Sequence, residues 1–229
     1  MNDFIVYLSE PYKSYENWQI TLETFATFFG ILSVYFSAKR NIWVFPTGII
    51  STFIYIFLFF NWGLYGETLI NLYYTSMSIY GWILWSKQTQ EDHVHVSVKW
   101  ANFKDYCQAF ILFIITFLLI LCIYHFRPII DGGKSFTEMN LLSWNYTKID
   151  FIDASLTGFF LIGMWMMAKR KIDNWFFWIL GDLIMVPLLI YKGYAISSFQ
   201  YFVFTILAII GLLGWMKTYQ IQSQKSTSS

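Results

Sequence analysis

Two stretches of this sequence, ETFATFFGILSVYFSAKRN (residues 23–41) and DASLTGFFLIGMWMMAKRK (residues 153–171), align with each other at a constant offset of 130 residues. Each stretch begins with an acid, carries a threonine four residues later, and contains the basic triplet AKR near its end. An acid, a threonine and a basic triplet in one register indicate an internal repeat. The two stretches are therefore predicted to be equivalent helices in two halves of one fold.

A second pair of segments extends the repeat. YGWILW (80–85) aligns with LGWMKT (213–218) through a shared Gly-Trp dipeptide, at an offset of 133. The difference between the two offsets predicts small insertions between the matched helices. A basic triplet after an apolar helix is also a common stop signal, so a chance match of AKR remains the alternative.

The composition indicates a membrane protein. Of the 229 residues, 57% are hydrophobic, 22% are aromatic and only 13% are charged. A soluble domain of this size could not bury so much apolar surface, whereas a helix of about 20 apolar residues crosses the hydrocarbon core of a bilayer. Backbone groups in lipid lack a water partner, so we predict an all-α integral membrane protein.

Seven segments are long and apolar enough to form membrane helices. They are residues 21–38, 42–60, 64–86, 106–126, 148–168, 172–191 and 194–216. Three spans repeat as three, and the span at 106–126 is left between them as a linker helix. Because one added helix reverses the chain direction, both halves run the same way, in a parallel 3+1+3 repeat.

This arrangement divides the chain into five parts and sets its orientation. The parts are an N-terminal segment (1–20), a first three-helix repeat (21–86), polar loops with the linker helix (87–147), a second three-helix repeat (148–217) and a tail (218–229). Ten of the Lys and Arg residues fall on one side of the predicted membrane and five on the other. The positive-inside bias therefore predicts an outer N-terminus and a cytoplasmic C-terminus.

Polar side chains within the spans indicate a binding site, because a charge at the centre of a membrane helix costs about 2.5–3.5 kcal/mol. Trp175, Trp178 and Asp182 follow spacings of three and four in the sixth span, so they share one helix face. Aromatic rings beside an acid suit a flat cation, since a cation–π contact contributes about 0.5–2 kcal/mol. Tryptophans near span ends also form interfacial belts, which is the competing interpretation.

The opposite wall of this site is predicted from the third and seventh spans. Asn71 and Tyr74 share a face of the third span with Glu67, and Gln200 lies about two turns into the seventh. Amide and hydroxyl groups would orient a ligand, and Glu67 would add negative charge. Two further acids, Glu23 and Asp153, lie near the outer ends of their spans, where either a structural role or a place on the substrate path is open.

The sequence resembles the PnuC family of bacterial vitamin transporters, which is best known for nicotinamide riboside uptake. The family's Trp-x-x-Trp-x-x-x-Asn motif is matched by Trp175 and Trp178, while Asp182 replaces the asparagine and Asn71 stands where a glutamine is common. The resemblance covers most of residues 20–217. It implies seven core helices in a SWEET-like fold, a homotrimer, and facilitated diffusion followed by trapping through a cytoplasmic kinase.

We therefore expect a transporter of a cationic vitamin in the bacterial cytoplasmic membrane, with nicotinamide riboside as the first candidate. The related PnuT proteins, which carry thiamine, supply the nearest alternative, and a SWEET-like sugar transporter is a further one. A membrane-embedded enzyme would need clustered histidines or acids at the membrane surface, and the sequence shows none. No cofactor, metal or nucleic acid is expected; the partners are the vitamin and the lipid bilayer.

Overall fold

The computed structural model describes residues 16–62, 65–88, 95–130, 146–191 and 195–227. Its regular elements there are helices: α1 (Asn17–Ala38), α2 (Val44–Asn61), α3 (Tyr65–Ser86), α4 (Phe103–His125), α5 (Arg127–Ile130), α6 (Lys148–Ala168), α7 (Asn174–Tyr191) and α8 (Ala195–Thr227). The prediction of an all-helical protein is confirmed. Most of the predicted N-terminal segment lies outside the described residues.

Six of these helices are long and apolar enough to cross a membrane: α1, α2, α4, α6, α7 and residues Ser198–Gln224 of α8. The chain is therefore a multi-pass membrane protein. The 22-residue helix α3, predicted as the third span, is not among the six, because Glu67, Asn71 and several hydroxyl side chains make it more polar. Large apolar side chains such as Phe53 and Phe110 are exposed, as expected of surfaces that contact lipid.

The two AKR turns have the same backbone geometry. Arg40 has a φ of 58° and Arg170 a φ of 60°, in the left-handed region that residues other than glycine rarely adopt. In both turns the next residue, Asn41 or Lys171, donates its backbone N–H over 2.9 Å to the carbonyl five residues earlier. Both helices thus end in the same way, and in each case a new helix begins six residues after the last residue of the old one.

Two buried tryptophans join the halves at this end of the molecule. Trp85 donates its Nε1–H to the carbonyl of Ala168 over 3.1 Å, and Trp215 donates to the carbonyl of Ser37 over 2.9 Å. Both rings are fully buried, whereas Trp82 is 42% exposed. The pairing of Trp82 with Trp215 at an offset of 133 is therefore wrong, because Trp85 occupies the equivalent place at an offset of 130.

Residues 95–99, which lie shortly before α4, contact both AKR turns. Arg40 donates from its guanidinium to the carbonyl of Val96 over 2.9 Å, and Arg170 donates to the carbonyl of Ser97 over 3.3 Å. Val96 and Val98 bury their side chains in the cluster that contains both tryptophans. Burial, with the charges of lysine and arginine in the second turn, lowers the pKa of the neighbouring Lys99.

Helix α4 is attached to the second AKR turn. Asn102 and Asp105 form a reciprocal capping box that begins the helix. Asp105 also forms a buried ion pair with Lys171, and Asp173 accepts hydrogen bonds from the backbone of Ala101 and the hydroxyl of Tyr106. These contacts attach the N-terminus of α4 to the second AKR turn and to the residues that follow it.

Candidate functional site

Asp182 lies in the middle of α7 and is only 2% exposed. Among the described residues, no side chain or backbone group forms a hydrogen bond or an ion pair with its carboxylate. Tyr74 of α3 and Tyr201 of α8 lie within the electrostatic range of this acid. A buried carboxylate without a partner is unfavourable, so its position indicates a place for a positively charged ligand.

An aromatic group adjoins Asp182 on the same side of α7. Trp178 stacks on Phe160 of α6, with ring centroids 5.6 Å apart and planes 26° apart, and Phe160 lies 6.1 Å from the ring of Tyr201. Two glycines make room for these rings. A Cβ at Gly163 would lie 3.0 Å from Trp178, and one at Gly181 would lie 2.4 Å from Phe160. The sequence thus builds a stack of rings beside a buried acid.

Trp175 lies elsewhere on α7, in the buried cluster at the AKR turns. It is 2% exposed and meets Trp215 edge to face, with ring centroids 5.6 Å apart. A Cβ at Gly211 would come within 2.5 Å of its ring, so α8 packs closely against it. Its Nε1 has no hydrogen-bond partner within the described part of the chain. The structure therefore places Trp175 in the packed end of the interface between the halves.

The polar residues predicted on α3 are divided between two places. Tyr74 lies near Asp182, and the half-buried Asn71 donates its side-chain amide to the carbonyl of Glu67 over 2.9 Å. Glu67 itself is exposed in the first turn of the helix, and its electrostatic effect is on Tyr124 of α4. Gln200 is half-buried on α8. The structure thus brings Tyr74, Trp178 and Asp182 together and does not place Glu67 with them.

Sequence analysis missed two members of this group, Phe160 and Tyr201. The signal for Tyr201 was present, because it lies 130 residues after the predicted site residue Asn71. The same offset relates Asp182 to Thr52, whose hydroxyl hydrogen-bonds to that of Thr75 over 2.7 Å. The first half therefore carries a neutral, satisfied hydroxyl pair where the second half carries an acid.

A line of polar groups continues from Tyr201 toward the start of α1. Tyr55 lies within electrostatic range of Tyr201, and its hydroxyl hydrogen-bonds to that of Thr27 over 2.9 Å. Glu23 lies within electrostatic range of Tyr55, and one of its carboxylate oxygens is buried without a partner among the described residues. Among the residues that the structure describes, no three His, Cys, Asp or Glu side chains form a metal-binding cluster.

Comparison with known proteins identifies related transporters. The profile of the family described as "Nicotinamide mononucleotide transporter" matches residues 20–217. The nicotinamide riboside transporter PnuC of Escherichia coli (strain K12) is 20% identical over 214 residues, covering 90% of each chain. The riboflavin/roseoflavin transporter RibM of Streptomyces davaonensis is 22% identical over 208 residues, again covering 90% of each. These curated relatives are transporters rather than enzymes.

A solved structure supports the fold. The crystal structure of the vitamin B3 transporter PnuC matches with a TM-score of 0.65 and 18% sequence identity, covering 89% of this chain and 84% of that one. At this identity the match concerns the fold alone. This chain and that protein therefore share an overall fold.

Proposed function

The chain belongs to the nicotinamide mononucleotide transporter family, and from this premise we propose that it carries nicotinamide riboside across the bacterial cytoplasmic membrane. It is a vitamin transporter of the PnuC type and not an enzyme. The observation that carries the choice of substrate is the enclosed carboxylate of Asp182 beside the stacked rings of Trp178 and Phe160.

The charge of the site favours a cationic ring over the other ligands that the relatives' names suggest. The pyridinium of nicotinamide riboside is flat and positively charged, so it can stack on Trp178 while Asp182 offsets its charge. Riboflavin is neutral and leaves the carboxylate without a counter-charge. A mononucleotide adds a phosphate, which the carboxylate repels. Tyr74, Asn71 and Gln200 would supply hydrogen bonds to the ribose and the amide.

Thiamine is the second candidate. Its thiazolium ring is also a flat cation, and Asp182 stands where the resembling family has asparagine, so the acid suits either vitamin. A sugar needs neutral hydrogen-bonding groups, and the buried acid disfavours it. The proposal therefore concerns a class of cationic vitamin, with nicotinamide riboside first.

We also propose that the chain forms a parallel 3+1+3 repeat with seven membrane helices, α3 included and α4 as the linker. The matched φ values of Arg40 and Arg170 support the repeat. So does the contact between Ser37 and Met167, which are 130 residues apart: the Ser37 hydroxyl donates to the Met167 sulfur over 3.1 Å. Residues at equivalent positions meet only near the axis that relates the two halves.

The wider assembly follows from the resemblance and from the charge distribution. We propose a homotrimer with an outer N-terminus and a cytoplasmic C-terminus, since the AKR turns put basic residues at one end. In facilitated diffusion a cytoplasmic kinase that phosphorylates the vitamin would keep it in the cell. The five predicted parts of the chain, with repeats at 21–86 and 148–217, belong to the same proposal.

The test is equilibrium binding to the purified protein, followed by tryptophan fluorescence and by calorimetry. We expect nicotinamide riboside to bind, and Trp178→Ala to weaken its affinity about 2- to 30-fold through the lost ring contact. Asp182→Ala should weaken it by at least about 30-fold, because the cation would be buried without its counter-charge. Thiamine and riboflavin titrated against the same preparation rank the candidates.

The exposed Trp82 provides the matched control, since Trp82→Ala removes an indole that is not among the rings beside Asp182. Its affinity for nicotinamide riboside should equal that of the wild type. Unchanged affinity in both Trp178→Ala and Asp182→Ala would show that the site lies elsewhere.

A further inference from the structure

Helices α1 and α2 run antiparallel, and their contacts follow a regular register. A Cβ at Gly30 would lie 3.1 Å from the Oγ of Ser51. One turn closer to the start of α1, the hydroxyls of Thr27 and Tyr55 share a hydrogen bond of 2.9 Å. Three residues back along α1 thus match four residues forward along α2. Because residues with these spacings share one helix face, the same two faces continue to meet toward the start of α1.

The next turn of these faces brings an acid to a row of aromatic rings. Glu23 lies four residues before Thr27 on α1. Phe59 lies four residues after Tyr55 on α2, so the register puts positions 23 and 59 opposite each other. Phe59 stacks on Tyr55 with ring centroids 5.3 Å apart and planes 16° apart, and it meets Trp62 edge to face at 5.9 Å. Tyr55, Phe59 and Trp62 thus form one continuous row of rings, the α2 ring row.

The chemistry of Glu23 and the α2 ring row suits a positively charged ligand. One oxygen of the Glu23 carboxylate is buried and accepts no hydrogen bond from the described residues. Glu23 and the three rings are all half-buried, so each side chain keeps some accessible surface. A buried carboxylate oxygen is unfavourable unless a partner offsets its charge, and aromatic rings attract cations. A flat organic cation is the ligand that meets both requirements.

The second half of the chain does not repeat the ring row. Asp153 on α6 is the equivalent of Glu23, at the offset of 130. On α7 the equivalents of the first two rings are Met185 and Leu189. Helices α6 and α7 pack against each other without those rings. The row is therefore an addition to the first half, beyond what the packing of the repeated helices requires.

The α2 ring row lies at a different depth from Asp182. The offset of 130 makes Thr52 of α2 the equivalent of Asp182, and Phe59 follows Thr52 by seven residues. At a rise of about 1.5 Å per residue, Phe59 lies about 10 Å closer to the end of α2. In the proposed parallel repeat, equivalent residues share one depth in the membrane. A cation that enters from this end therefore meets Glu23 before it meets Asp182.

We propose that Glu23 and the α2 ring row form a second binding site, which holds the cationic vitamin before it reaches Asp182. The inference rests on the proposed function and on the proposed orientation, which puts the start of α1 outside the cell. Facilitated diffusion remains the mechanism, because the site couples transport to no gradient. It raises the local concentration of the cation at the entrance.

The experiment measures initial rates of uptake of radiolabelled nicotinamide riboside by intact cells. The cells express the full chain and have no nicotinamide riboside uptake of their own. An entrance site acts on capture of the vitamin, so its loss should raise KM and leave the maximal rate per folded molecule unchanged. We expect Glu23→Gln and Phe59→Leu each to raise KM about 2- to 5-fold, as for an exposed cation–π contact. Glu23→Asp keeps the charge and should restore most of the capture.

Two control variants make the same chemical changes outside the site. Phe57 is 51% exposed and lies against Trp18 rather than in the ring row, so Phe57→Leu should keep the wild-type KM. Glu16 is exposed just before α1, and Glu16→Gln removes one negative charge from the same end while keeping a side chain that can cap the helix. An equal rise in KM for Glu16→Gln would show that general surface charge acts there, and would overturn the site.

The outcomes separate the second site from the function on which it rests. Gel filtration of the detergent extract measures how much folded protein each variant gives. If Glu23→Gln does not fold, Phe59→Leu decides, since leucine stands at the equivalent position of the second half. An unchanged KM in the folded variants overturns the second site and leaves vitamin transport in place. Absence of wild-type uptake for both nicotinamide riboside and thiamine overturns the proposed function, and the second site with it.

Discussion

The glycines of α6 allow a sharp test of where the vitamin lies. A Cβ at Gly163 would come 3.0 Å from Cε2 and 3.1 Å from Nε1 of Trp178. Carbon atoms prefer separations of about 3.5–4.0 Å, so Gly163→Ala must push the indole away by about 0.5 Å or more. Because the ring contact with a cation contributes about 0.5–2 kcal/mol, we expect the affinity for nicotinamide riboside to fall about 2- to 30-fold.

The effect of Gly163→Ala on stability should be smaller than its effect on binding. Overpacking costs about 1–3 kcal/mol, whereas replacing glycine by alanine within a helix contributes about 0.8–1.0 kcal/mol. The cost of overpacking and the gain in helix propensity largely cancel in the free energy of unfolding if the partly exposed Trp178 can shift. Thermal unfolding of the detergent-solubilised protein, measured beside the binding titration, separates the two effects.

Gly158 provides a matched control one and a half turns earlier on the same helix. A Cβ there would lie 2.7 Å from the ring of Phe113 on α4, away from Asp182. Gly158→Ala should therefore lower the unfolding temperature and leave the affinity unchanged. If Gly163→Ala behaves in the same way, losing stability but keeping its affinity, then Trp178 does not contact the vitamin and the reasoning is refuted.

Three other predictions concern the interface between the halves, the attachment of α4 and the topology. Trp215→Phe removes one of the two donors to the carbonyl of Ser37, which keeps the Arg40 N–H, and leaves a void in the buried cluster, so the free energy of unfolding should fall by about 1–3 kcal/mol, whereas Trp82→Phe should leave it unchanged in the same denaturation assay. Lys171→Met strands the buried Asp105 and should destabilise the protein by about 3–5 kcal/mol, and adding Asp105→Asn should restore part of that loss; equal instability of the single and double variants would contradict the ion pair. A reporter fused to the C-terminus should be active only in the cytoplasm, and activity on the outer side would reverse the proposed orientation.

Several features of the fold followed from the sequence because they depend on local or solvent-driven physics. An apolar run of sufficient length must be helical in lipid, whatever its neighbours. The recurrence of AKR at one offset predicted equivalent turns, and Arg40 and Arg170 have matching backbone angles. The pairing at an offset of 133 was wrong because a shift of three residues is almost one helical turn. A Gly-Trp dipeptide displaced by that amount keeps nearly the same face, so periodicity could not detect the error.

The composition of the site shows the same division. Helical spacing by itself determined that Trp178 and Asp182 share one face of α7. Only the tertiary structure decided that Phe160 and Tyr201 complete the group of rings beside Asp182. It also decided that Trp175 packs against α8 in the buried cluster at the AKR turns. Periodicity relates residues along one helix, whereas the partner of each face depends on which rings fit over the glycines of its neighbours. For this protein the sequence determined that an acid lies beside a ring on α7, and packing decided that no cation among the described residues pairs with that acid.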